Sequence, residues 1–232
     1  MRMSEFERQY GVQPTSVDAE SGGTRLSALN PSLLQDLLRH EPHPNLGLDL
    51  LEVMAAALRH RRALQLHLRL DWRVLKLGIW PHDLLLDSPM PLAQLLALRL
   101  PELQVLRVEP AQARADEDRT RAMPGAQGGS LEPLAPLLWE LALRGSRSQL
   151  LAEVAGVAAY RVAPSANLAP LALGGSLADA VARLREQAST LREIARWPGF
   201  DCERAIRLLN ALYLQASLMI SRSHPGALSA QL

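Results

Sequence analysis

Residues 189–224 read STLREIARWPGFDCERAIRLLNALYLQASLMISRSH, and the chain falls into order on either side of them. Thr190 is a cap residue ahead of LREIARW, its hydroxyl suited to the unpaired N–H groups of a helix start. Pro198 and Gly199 supply a tight turn, since proline presets φ and glycine takes conformations closed to other residues. Asp201 caps a longer run, CERAIRLLNALYLQA, in which Ala205, Ile206, Leu208, Leu209, Leu212 and Tyr213 recur at helical spacing as a wide apolar stripe. Leu218 to Ser221 reads as a strand. The order is a short helix, a turn, a longer packing helix and a strand.

One more helix precedes it. From Ser176, the expected cap, LADAVARLREQ places Leu177, Ala180, Val181 and Leu184 on one face. Together these elements resemble the winged helix-turn-helix superfamily. Such modules read the DNA major groove with the exposed first turns of their second helix. The resemblance therefore implies duplex contacts at Arg192 and Arg196 before the turn, Arg204 and Arg207 after it, and Arg222 beyond the strand. Asp201 and Glu203 stand at the same reading end, where carboxylates face phosphates of like sign. The competing use of the module is packing or docking against protein.

Upstream, residues 25–110 read as an α+β module. NPSLLQDLLRH is an amphipathic helix with Asn30 as cap and Pro31 at its first position, and LGLDLLEVMAAALRHR resumes the helical period after EPHPN breaks it. At Ala63 the period falls from about 3.6 to about 2. ALQLHLRL alternates leucines with Gln65, His67 and Arg69, and RVLKLGIW answers it after a turn near Asp71, predicting an antiparallel hairpin with one wet face. DLLLD adds a third strand, PLAQLLALRL a short helix and LQVLRVEP a fourth strand. Over its whole length the order of elements is similar to PATAN-type domains of bacterial signalling and motility proteins.

Residues 111–130 mix charge with glycine and proline and are expected to be a linker, while residues 1–24 lack apolar periodicity and are expected to form a flexible arm. Beyond the linker, residues 131–232 form the second, mainly helical module. In it LEPLAPLLWELALRG is a helix with Pro133 and Pro136 in its first turn and Gly145 as its stop. The following segment is read as a helix to Ala155 and a strand from Tyr160 to Val162. The predicted fold class is α+β throughout.

Composition narrows the function. The 25 basic and 24 acidic residues nearly cancel, so no global field favours nucleic acid and any DNA contact must be local. The apolar runs are too short to span a bilayer, the amino terminus lacks the apolar core of a secretory signal, and the single cysteine excludes an internal disulfide. These features predict a cytoplasmic protein with no membrane partner. Positive charge carried almost wholly by arginine, with abundant alanine and leucine, is associated with GC-rich bacterial genomes.

Chemistry-bearing residues do not assemble into a motif. His40 and His43 flank a proline that keeps them off one helix face, and no carboxylate or thiol completes a ligand set. His67 and His82 read as surface residues. Cys202 opens a helix, where the dipole lowers a thiol pKa, but no histidine lies near it in sequence, and a half-buried structural role is expected. The glycine pairs at 128–129 and 174–175 lack the lysine and the strand–helix setting of a phosphate loop. No catalytic residue, metal or cofactor is predicted. The expected function is a non-enzymatic bacterial regulatory or adaptor protein working through contacts with another protein, with a DNA-binding regulator as the alternative. Trp72 at the hairpin tip and Trp80 are the candidate partner-binding residues, since exposed aromatics anchor interfaces. The uncovered edge of the small sheet offers a further surface for a partner or a second copy.

Overall fold

Helix α1 (Pro31–Arg39) begins where Asn30 accepts hydrogen bonds from the N–H and hydroxyl of Ser32, at 3.1 and 2.8 Å. In α2 (Leu50–His60) both ends are specified by side chain and backbone. Asp49 accepts from the Leu51 N–H at 3.0 Å, and Arg61 turns left-handed at φ 49° to return its own N–H to the last carbonyls. These are the first elements of a computed structural model that describes residues 29–39, 48–111, 130–171 and 173–223. The arm expected at residues 1–24 lies outside the described residues.

The predicted hairpin forms with β1 (Leu64–Leu70) and β2 (Arg73–Trp80), and Leu70 pairs with Arg73 across the two-residue turn at Asp71 and Trp72. Leu64, Leu66 and Leu68 of β1, with Leu75, Leu77 and Ile79 of β2, point into the core, and Gln65, His67 and Arg69 line the opposite face. Next come β3 (Leu85–Ser88), α3 (Leu92–Ala97), a single 3-10 turn and β4 (Gln104–Pro110), which returns to the far side of β1 with a bulge between His67 and Leu68.

The expected linker reaches less far than its composition indicates. Ala111 still donates to the Ala63 carbonyl at 3.0 Å, and Ser130 already opens β5 (Ser130–Pro133), which pairs with β3. Residues 112–129 lie outside the described residues. The sheet order is β4-β1-β2-β3-β5, antiparallel throughout. Helix α4 (Leu134–Arg144) starts one residue after Pro133, so the stretch read as the first turn of that helix is strand up to Pro133. The partner strand β3 wins because its exposed edge supplies ladder hydrogen bonds that an isolated helix start lacks. Pro136 does sit in the first turn, where a missing N–H costs nothing.

After α4 the structure departs from the sequence again. No helix forms over residues 146–155, which run through loop and turns. The reason is a polar clamp: buried Asn210 accepts from the Leu151 N–H and donates to the Gln149 carbonyl, both at 2.9 Å, while the Arg147 guanidinium bonds the carbonyls of Gln149 and Leu150. Those groups are thereby taken from an i to i−4 ladder. Strand β6 (Ala159–Val162) follows, then α5 (Ser176–Glu186), β7 (Ser189–Thr190), α6 (Leu191–Ile194), α7 (Cys202–Leu214) and β8 (Leu218–Ser221). Gly175 with φ 54° occupies the cap position of α5, so Ser176 is its first residue and makes no capping bond. Thr190 and Asp201 cap α6 and α7 as their sequence predicts, Thr190 with Glu193 as a reciprocal capping box. The second sheet is ordered β7-β6-β8, again antiparallel.

The fold class is α+β, and the apolar core is continuous. It joins Val53 and Met54 of α2, the leucines of β1 and β2, Leu137 and Leu138 of α4, and Leu208, Leu209 and Leu212 of α7 in one cluster. Each fully buried leucine contributes roughly 1.5–3 kcal/mol. An exposed i,i+4 ion pair such as Glu203–Arg207 contributes about 0.5 kcal/mol. Packing against α4, with the apolar stripe inward, therefore determines how α7 sits. No helix among the described residues is long and apolar enough to cross a membrane.

Candidate functional site at the sheet hairpin

The tip of the β1–β2 hairpin is built for display. Asp71 takes φ 54°, a left-handed conformation that aspartate tolerates better than most residues, and this closes the turn in two residues. Trp72 is left 81% exposed, with the Arg73 guanidinium 4.5 Å from its ring centroid. Val74 is 53% exposed. Period-two alternation puts Lys76 on the same face as Val74, and both are solvent-exposed.

Register fills in the face around them. Arg69 lies opposite Val74 and His67 opposite Lys76, with Arg107 of β4 beyond His67. The Arg69 guanidinium donates to Gln104 Oε1 at 2.5 Å. Glu109 is shared by His67 at 3.0 Å and Arg107 at 2.5 Å, which partly buries a histidine expected at the surface. His82 is exposed as expected. Trp80 is half-buried, its ring lying across Gly78 so closely that a Cβ there would fall 2.4 Å from a ring carbon. Trp80 thus packs on its own strand, and Trp72 is the aromatic that faces solvent. Of the other tryptophans, Trp139 is fully buried and Trp197 is half-buried in an edge-to-face contact with Phe200.

The arginines assigned to DNA divide into two groups. Arg204 donates to the Gly199 carbonyl at 2.8 Å and lies over the Phe200 ring. Arg207 reaches the Leu143 carbonyl of α4 at 2.7 Å and pairs with Glu203 at 2.6 Å. Arg222 spans to the carbonyls of Ala155 and Glu153 at 2.8 and 3.0 Å. Only Arg192 and Arg196 of the five are both exposed and without a described partner of this kind. Asp201 is spent as the cap of α7, accepting from the Arg204 N–H at 2.7 Å. Cys202, at the first position of α7, is exposed, contrary to the half-buried expectation.

A cluster that no sequence motif announces lies between α1, α2 and the loop after α4. Arg59 of α2 meets Asp36 and Glu52, each at 3.0 Å, and also Glu153, while His60 meets Asp36 at 3.1 Å. Arg147 contacts Asp49 at 2.6 Å and Glu52 at 3.2 Å. Glu52 is almost wholly buried. The only available hint is that Glu52 and Arg59 are seven residues apart, hence on one face of α2. Tyr213 of α7 borders the cluster, and burial pushes its hydroxyl pKa up, against the pull of Arg59 and with the push of Glu52 and Asp36. Burial likewise raises Tyr160, whose hydroxyl donates to the Val154 carbonyl at 2.8 Å.

The cluster's chemistry is structural: guanidinium and carboxylate groups face each other. No group of three histidine, cysteine or acidic residues placed to hold a metal occurs among the described residues, and His40 and His43 lie outside them. A shallow groove of about 390 Å³ between Leu168, Leu171, Leu173, Val181 and Arg185 is apolar and open. Comparison with protein-family models, with curated proteins and with solved structures found no match to this chain.

Proposed function

We propose that this chain is a non-enzymatic bacterial adaptor or regulatory protein of the cytoplasm that works through contacts with another protein, docking through the hairpin end of its larger sheet. The observation that carries this reading is Trp72, 81% exposed on a two-residue turn. An indole kept in water gives up burial worth several kcal/mol, of the order of that for other large apolar side chains. Interfaces recover that energy, which is why tryptophan is enriched among their most costly positions.

The alternative, a DNA-binding regulator, draws support from the helix–turn–helix order of α6 and α7 and from Arg192 and Arg196. Against it stands the engagement of Arg204, Arg207 and Arg222 with the chain's own carbonyls, which holds three of the five arginines in place and leaves fewer cations free to release counterions from a duplex. Two measurements separate the readings. A photo-reactive amino acid at position 72 is expected to cross-link to another protein in bacterial cells, and the purified chain is expected not to shift duplex DNA at low salt. A duplex shift abolished by Arg192→Ala, with no cross-link from position 72, would reverse the order of the two.

A further inference from the structure

We infer that the segment docking at the hairpin end is an extended acidic peptide, gripped by Trp72 and Val74 through apolar contact and by Arg69 and Lys76 through its carboxylates. This rests on the protein-contact reading above and adds the chemistry of the partner.

Geometry and charge point the same way. Val74 and Lys76 are two residues apart on one face of β2, about 7 Å along the strand. Successive same-face side chains of an extended peptide have that same spacing. Arg69 stands directly across from Val74, so the apolar contact at Val74 has a cation on each flank, one across the ladder and one along the strand; the Arg69 guanidinium is hydrogen-bonded to the neutral Gln104 side chain, which does not offset its charge. At this end Arg69, Arg73 and Lys76 are all exposed, and Asp71 is the one carboxylate in the run of chain from Arg69 to Lys76. On the open face Asp87 lies across from Gly78, one step beyond Lys76, and Glu109 is already engaged by His67 and Arg107. A basic partner would meet the same cations with repulsion, and a neutral one would leave them without a role.

Other places in the molecule carry less. The groove beside α5 has one cation, Arg185, and its guanidinium is donating to the Ala166 carbonyl. The Arg59 cluster is turned inward on its own carboxylates, and Cys202 stands alone.

The test uses the full chain and short fluorescein-labelled peptides that alternate leucine with glutamate, glutamine or lysine. The glutamate peptide is expected to bind, the other two not, and binding should weaken with salt as exposed charge pairs are screened. Arg69→Glu, Lys76→Glu and Trp72→Ser should each lower its affinity by about tenfold, a typical loss at an interface position. All three replace exposed side chains, and unchanged thermal melting checks that each variant folds. Equal binding of the glutamine peptide, or indifference to Lys76→Glu, overturns the inference. So does a gain of about tenfold or more in glutamate-peptide affinity when Asp116, Glu117 and Asp118 are neutralised, since the chain's own acidic run would then be the occupant. Cross-links from position 72 without acidic-peptide binding would sink this inference and leave the adaptor reading standing; loss of both would remove both.

Discussion

The hairpin tip and the start of α7 carry similar residues, aromatics beside arginines, yet the fold treats them in opposite ways. At the tip, Arg73 lies over Trp72 and both side chains are exposed. At α7, Arg204 lies over Phe200 but its guanidinium is bonded to the Gly199 carbonyl, and Arg207 is drawn onto the end of α4. The lesson is that an arginine near an unsatisfied helix carbonyl becomes a brace. On the strands the outcome depends on what lies within reach: Arg107 pairs with Glu109 and Arg161 of β6 reaches the Arg185 carbonyl at the end of α5, while Arg73 at the tip lies over Trp72.

That contrast can be broken by substitution. Arg59, the most inward of the braces, gives the largest expected effect. Arg59→Ala leaves Glu52 buried without its main cation and should destabilise the fold by about 3–5 kcal/mol, read from the midpoint of urea unfolding. A loss below about 1 kcal/mol would place that cluster with ordinary surface pairs. Next comes Arg207→Ala, which removes a charged hydrogen bond to the Leu143 carbonyl and should cost about 1.5–3 kcal/mol in the same assay. If it proves neutral, Arg207 is as available to a ligand as Lys76, and the contrast between the two regions fails.

The smallest effect is a pH dependence. Tyr160 and Tyr213 both have folded pKa values raised above the ordinary value near 10. Stabilisation from keeping them protonated is complete below their unfolded pKa and is lost as pH rises through the raised folded values. Melting temperature should therefore fall from about pH 10 upward, and a Tyr160→Phe, Tyr213→Phe double variant should fall less steeply. Both described tyrosines lie in the carboxy-terminal half, and an equal alkaline decline in the variant would show that they are not its source.

Much of the architecture is legible in the sequence. The alternation of leucine with polar residues from Leu64 to Leu70 and the caps Thr190 and Asp201 act within a few residues of chain, and each formed as read. Trp72 at the tip follows from the same local logic. The two misread segments, residues 130–133 and 146–155, share one property, dependence on a distant partner. Residues 130–133 became a strand because β3 offers an edge, and residues 146–155 stayed non-helical because Asn210 and Arg147 claim their backbone groups.

The sequence by itself determined the periods and the caps Asn30, Thr190 and Asp201, since these arise from backbone sterics and short-range hydrogen bonds. Only the tertiary structure decided which charges are spent. Asp36, Arg59 and Glu153 are scattered along the chain and meet only when α1, α2 and the loop after α4 pack together. Arg207 loses its freedom to a carbonyl 64 residues away. Charge carries no periodic signature comparable to that of apolar burial, because one long side chain can reach any acceptor that packing brings near.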